Sequence, residues 1–170
     1  SATPIEVLAK PSSRNARSAA SNRPNPGVRP IWTVTGMIRG SERPDQVVIV
    51  GNHRDAWTYG GADPSSGTAA LLEMVEAFGQ LRRSGWRPAR TILFASWDAE
   101  EFSLISSTEW GEEHEAMLQA QAVAYLNVDS GVSGHVFNAS AVPALNQTIT
   151  EIAQLVKDPA AHIPVAAAFR

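Results

Sequence analysis

Residues 46–97, QVVIVGNHRDAWTYGGADPSSGTAALLEMVEAFGQLRRSGWRPARTILFASW, decide the fold. The run begins with a short β-branched apolar stretch, QVVIVG, of the kind that suits a buried strand. A polar, glycine-rich loop follows. Leu71, Met74, Val75, Phe78 and Leu81 then recur at helical spacing until SGW at 84–86 stops the pattern. TILFASW is a second buried strand. Short apolar strands alternating with amphipathic helices predict a parallel arrangement that needs cover on both faces.

Outward from this core the same texture continues. Upstream, IWTVTGMIRG from Ile31 alternates like a strand, and SERPD reads as a turn. Downstream, DAEEF reads as a loop or helix start, and the segment to about Gln121 as helical. AVAYLNVD is a further strand, SGVSGHVFNAS a turn and short strand, and about Pro143 to Val156 a helix. The expected fold is α/β, a three-layer αβα sandwich with a largely parallel mixed sheet over residues 31–170. Residues 1–30, rich in Ser, Asn, Arg and Pro, show no periodicity and read as a linker or edge segment. DPAAHIPVAAAFR ends on an apolar stretch without a cap, so 31–170 reads as an incomplete domain.

Composition narrows the chemistry. A chain of 170 residues suits one core, and 44 % hydrophobic with 18 % charged residues is far from a disordered composition. No apolar run approaches the twenty residues of a membrane-spanning helix. With no cysteine, thiolate metal sites, disulfides and cysteine nucleophiles are excluded, so any metal must use nitrogen and oxygen ligands. Lys10, Arg14, Arg17, Arg23 and Arg29 face only Glu6 in residues 1–30, while no Lys or Arg occurs between Thr91 and Val156. That acidic stretch lacks the clustered cations a phosphate backbone needs, which argues against a nucleic-acid partner.

In open α/β sheets ligands bind beyond the carboxyl ends of the strands. The polar residues of this chain fall there: His53 and Asp55 after QVVIVGN, Asp98, Glu100 and Glu101 after TILFASW, and Asp129 after AVAYLNV, with Asp63 added by the glycine-rich loop. Singly, each has an ordinary explanation as a loop hydrogen-bonder, a helix-start acid or a cap. Together they compose a site for a divalent cation, because adjacent carboxylates beside Asp63 and Asp129 repel without one. Imidazole with carboxylate suits zinc or cobalt. Asp55, two residues after His53, is placed to accept the imidazole's other N–H. Asp63-Pro64 is a candidate cis peptide. Trp57 and Tyr59, within the same loop, are candidate pocket residues.

GNHRDAW, GGADPSSG, RPARTILFASWDAEEF, STEWGEEH and YLNVDS closely resemble the binuclear zinc peptidase family of glutamate carboxypeptidase, to which the noncatalytic transferrin receptor is related. The resemblance spans about Ile31 to Asp158. It implies that His53, Asp63, Glu101 and Asp129 ligate two zinc ions, with Asp63 shared between them, and that Glu100 is the general base. It further implies a peptide substrate, a homodimer, and a secretory, extracellular or vacuolar location. The implied activity is hydrolysis of a terminal peptide bond by a metal-activated water. Two departures stand out. The family's last zinc ligand is a later His, and none of His114, His135 and His162 has its context. Ser103 and Ser106 also occupy positions where the family usually has Gly. A noncatalytic module, or an inactive fragment lacking the last ligand, is the alternative.

Overall fold

The structure, a computed structural model, describes residues 6–17, 28–132, 134 and 136–168. Residues 1–5 and 18–27 of the expected linker, and His135, lie outside the described residues. The chain divides into two compact units, Ser1–Ser133 and Gly134–Arg170.

The first unit holds a five-stranded sheet in the order β1-β2-β4-β3-β5. Its strands are β1 (Glu6–Arg17), β2 (Val28–Ile38), β3 (Arg43–His53), β4 (Arg90–Trp97) and β5 (Ala122–Asn127). β3 runs parallel to both β4 and β5, whereas β2 pairs antiparallel with β4 and β1 antiparallel with β2. The segment read as linker or edge therefore contains an edge strand. Its register slips between Pro11 and Asn15. Proline cannot donate to a ladder and is tolerated at an edge.

Helix α1 (Ser65–Arg83) connects β3 to β4, and α2 (Ile105–Glu113) and α3 (Glu115–Gln121) connect β4 to β5. The two faces of the sheet are read from β4 itself. Phe94 and Trp97, three residues apart on a strand, point to opposite sides. Phe94 joins Ile38, Val50 and Leu71 in the buried core, with Met74, Val75 and Phe78 of α1 packed against them. Trp97 instead meets Trp110 of α2 with ring centroids 5.4 Å apart. Helices thus cover both faces, which makes the three layers. α1 stops at Ser84, followed by Gly85 at φ +96, with Arg82 and Arg83 in the last turn where cations favour the helix dipole. β5 is the other edge, and Val123, Tyr125 and Leu126 remain half exposed on it.

The second unit contains α4 (Pro143–Leu155), opened by a proline in its first turn, and α5 (Val165–Ala168). The short strand expected within SGVSGHVFNAS is absent among the described residues. Val136 and Phe137 there are exposed and have no ladder partner.

Candidate metal centre

The parallel register aligns three strand ends. His53 closes β3 opposite Trp97, the last residue of β4, and Gly51 pairs with Asn127, the last of β5. The residue types singled out in the sequence therefore emerge on one rim. His53 is buried, only 3 % exposed, and its Nε2 lies 2.9 Å from Asp129 Oδ1 and 3.1 Å from Asp63 Oδ1. One ligand atom from each of His53, Asp63 and Asp129 falls within 4.8 Å of the others. Two carboxylates and an imidazole converge from three separate segments. The nearby Arg54 turns away, to Asp98 at 3.3 Å and to the carbonyls of Ser96 and Trp32. This donor set fits a borderline divalent cation such as zinc.

Local structure enforces the convergence. Asn52 is fully buried; its amide donates to the Val128 carbonyl, and its carbonyl accepts from the Thr68 hydroxyl at 2.6 Å. The side chain thereby ties the start of α1 to the segment carrying Asp129. Gly67 allows the approach, since a Cβ there would lie 1.9 Å from the Val128 carbonyl oxygen and 2.0 Å from that of Asp129. Sequence reading passed over Asn52, Gly67 and Thr68. The signal was a small residue in the helix's first turn beside a strand-end amide. The Asp63–Pro64 peptide is cis, as expected.

The two glutamates take different places. Glu100 Oε2 lies 3.7 Å from Nδ1 of His53, on the opposite edge of the ring from the Asp63–Asp129 pair. Glu101 stands apart from the trio, and its Oε1 accepts the Trp57 N–H at 3.3 Å. Asp55 accepts the backbone N–H groups of Glu100 at 3.0 Å and Glu101 at 3.2 Å. Its nearest oxygen is 3.5 Å from His53 Nδ1, which has no hydrogen-bond partner among the described residues. The expected imidazole contact is therefore looser than anticipated, because both carboxylate oxygens are committed to the main chain.

Electrostatics follow the crowding. Burial pulls the His53 pKa down, but the hydrogen bond its ring donates to Asp129 and the negative field of Asp129, Glu100 and Asp55 outweigh it, leaving it above its ordinary value. The Glu100 pKa is also raised, by burial first; His53 opposes the shift, while Asp129, Glu101 and Asp55 add to it.

A cavity of about 590 Å³ opens beside the rim, with Glu100, His53 and Asp129 on its wall and Trp97, Trp110 and Tyr125 supplying its aromatic lining. Trp57 and Tyr59 do not line it. Tyr59 is fully exposed, and Trp57 packs on Phe102 with centroids 5.0 Å apart.

The family model for peptidase family M28 matches residues 33–169. The chain belongs to peptidase family M28. It is 56 % identical over 129 residues to the Arabidopsis thaliana protein called probable glutamate carboxypeptidase LAMP1, covering 76 % of this chain and 19 % of that one. It is 47 % identical over 134 residues to the Mus musculus protein called aminopeptidase NAALADL1, covering 78 % and 18 %. Among solved structures, the peptidase M28 precursor of Shewanella amazonensis superposes with a TM-score of 0.57 at 22 % identity, over 74 % of this chain and 28 % of that one. This M28 chain thus spans about a fifth of the length of the curated relatives it matches. No helix among the described residues is long and apolar enough to cross a membrane.

Proposed function

We propose that this M28 chain carries the metal-binding part of a zinc exopeptidase that hydrolyses a terminal peptide bond. The observation that supports it most is the convergence of His53, Asp63 and Asp129 on one point, with Glu100 on the other edge of the imidazole. In this reading His53, Asp63 and Asp129 hold one ion. By the resemblance Asp63 and Glu101 would take part in holding a second ion, and the chain would belong to a homodimer in a secretory, extracellular or vacuolar setting. Bound zinc supplies a Lewis acid and acidifies a water. Glu100 would serve as the general base for the hydrolytic water and as the proton donor to the leaving amine, a role suited to a carboxyl whose pKa is raised above its ordinary value. The names of the relatives and the identity of 56 % favour a carboxypeptidase of the glutamate carboxypeptidase type over an aminopeptidase.

A second reading, a centre that holds one ion and lacks activity in this chain, is supported by the position of Glu101, which accepts from Trp57 instead of joining the trio. Zinc per chain, measured after purification without chelator, separates the two. Two ions, lost in His53→Ala, support the cocatalytic reading; one ion supports the second; none overturns both. Given two ions, release of a C-terminal residue from N-blocked dipeptides should vanish in Glu100→Gln with zinc retained. Activity surviving that substitution removes Glu100 as the base.

A further inference from the structure

Two Asn-x-Ser/Thr tripeptides, Asn138-Ala139-Ser140 and Asn146-Gln147-Thr148, take no part in the metal centre. Such a tripeptide accepts an N-linked glycan in a chain that enters a secretory compartment, where it is presented on the surface. The two differ in their surroundings. Asn146 and Thr148 sit in α4 (Pro143–Leu155). Helical residues two apart point roughly 200° away from each other around the axis, so this amide and hydroxyl do not face one enzyme together. The helix holds them so, and the Asn146 carbonyl also accepts the Thr150 hydroxyl at 2.9 Å.

Asn138, Ala139 and Ser140 are all exposed and belong to no helix or strand. The sequence enforces this. Pro143 is tolerated in the first turn of α4, but the residue before a proline is driven out of the α region, and Val142 accordingly has φ −63 and ψ 149. The helix therefore cannot run back through the first tripeptide. Outside a helix the chain can place residues i and i+2 on one side, as extended backbone does. Among the described residues, neither Asn138 nor Ser140 has a side-chain hydrogen-bond partner to give up. The flanking residues point the same way. Val136, Phe137 and Val142 are 77 %, 48 % and 62 % exposed, apolar side chains that a hydrophilic chain rooted at Asn138 would shield.

We propose that Asn138 is an N-glycan acceptor of this chain and that Asn146, eight residues on, is not. The amide nitrogen of Asn138 attacks the anomeric carbon of a lipid-diphosphate-linked oligosaccharide. A C–N bond forms, the C–O bond to the diphosphate breaks, and one amide proton is lost. In the organism the step rests on the secretory setting proposed above; the choice between the two asparagines does not.

The full chain is expressed in cultured animal cells behind a cleavable secretory leader, which imposes delivery and so separates acceptor choice from native location. Loss of the leader, read from the mass of the mature chain, certifies that delivery took place. Secreted and cell-retained protein are both digested with a peptide N-glycosidase and compared with undigested protein by gel mobility and peptide mass. In the wild type, digestion should produce a single mobility step and convert Asn138 to Asp. Asn138→Gln and Ser140→Ala should each abolish the step, whereas Ser140→Thr, which keeps the hydroxyl, and Asn146→Gln should retain it. A delivered but unmodified wild type, a step that survives Asn138→Gln, or glycans on both asparagines would overturn the proposal. Zinc per chain is scored on the same material. Its absence would remove the peptidase reading without touching the acceptor, and a missing glycan would leave the zinc reading where it stands.

Discussion

Two serines illustrate how differently one residue type behaves on either side of a turn. Ser103 has φ +75, a conformation for which glycine carries no Cβ penalty. Ser103→Gly should therefore raise stability by up to about 1 kcal/mol, the left-handed penalty relieved being partly offset by extra unfolded-chain entropy. Ser106 is fully buried, shares a hydrogen bond with Thr33 Oγ1 at 2.8 Å, and accepts the Asp98 N–H at 3.1 Å. Removing that hydroxyl orphans the buried Thr33 hydroxyl and the part-buried Asp98 N–H, so Ser106→Ala should cost about 1–3 kcal/mol. Urea unfolding of the two variants should move the midpoint in opposite directions. Both positions were visible as departures from a glycine pattern. Their opposite signs were not, because a backbone angle and a partner 73 residues away leave no local trace. His53 adds a pH signature to the same scale. Its native pKa lies above 6.5, so in the metal-free chain its stabilising contribution is complete below 6.5 and is lost as pH rises through the native value. Melting temperature in chelator should fall across that window. His53→Gln should flatten the fall, and an unchanged slope would show that the imidazole is not its source.

At the level of elements, the strands and α1 were legible because their signals are local and periodic. QVVIV and TILFASW are too apolar for anything but a buried strand in this context, and the Leu71, Met74, Val75, Phe78 stripe matches the face that meets Phe94. Glu6–Arg17 was less legible, since its Ser, Asn, Arg and Pro show no alternation in the sequence and main-chain pairing with β2 is what makes it a strand. The candidate site followed the same division. His53 and Asp129 could be read from strand ends and Asp63 from the glycine-rich loop, whereas the looser His53–Asp55 contact and the position of Glu101 depend on where main-chain amides fall. Two substitutions in α1 separate the core from the site. Leu71→Ala empties a buried position and should cost about 2–5 kcal/mol in unfolding free energy. Gly67→Ala places a methyl against the Val128 and Asp129 carbonyls, so α1 and the Asp129 segment must move apart. Titration with zinc should then show weakened binding in Gly67→Ala. Leu71→Ala, under conditions where it remains folded, should bind as the wild type does.

For the whole molecule, the placement of the site within a single unit makes a prediction about how metal acts on the fold. His53, Asp63 and Asp129 all belong to Ser1–Ser133, and they come from β3, the loop before α1 and the segment after β5. An ion held by all three cross-links chain segments that are otherwise joined by the Asn52 bridge and by strand pairing. Binding to the folded form alone stabilises it by mass action, about 2.7 kcal/mol at a free concentration one hundred times the dissociation constant. That stabilisation should appear as slower hydrogen exchange in β3, the first turn of α1 and β5. The amides of α4 belong to Gly134–Arg170, which contributes no ligand to the trio, and should exchange at the same rate with and without zinc. Mass-spectrometric exchange on the full chain, with zinc and then with chelator, gives both readings in one experiment. Protection confined to the first unit and reversed by chelation would assign the ion to the three converging side chains. Equal protection of α4 would mean either that the two units unfold together or that zinc binds elsewhere. Repeating the exchange in Asp129→Asn, which replaces one charged ligand with a neutral amide, decides between these: coupled unfolding predicts that protection weakens in both units together, and a separate zinc site predicts that α4 keeps it.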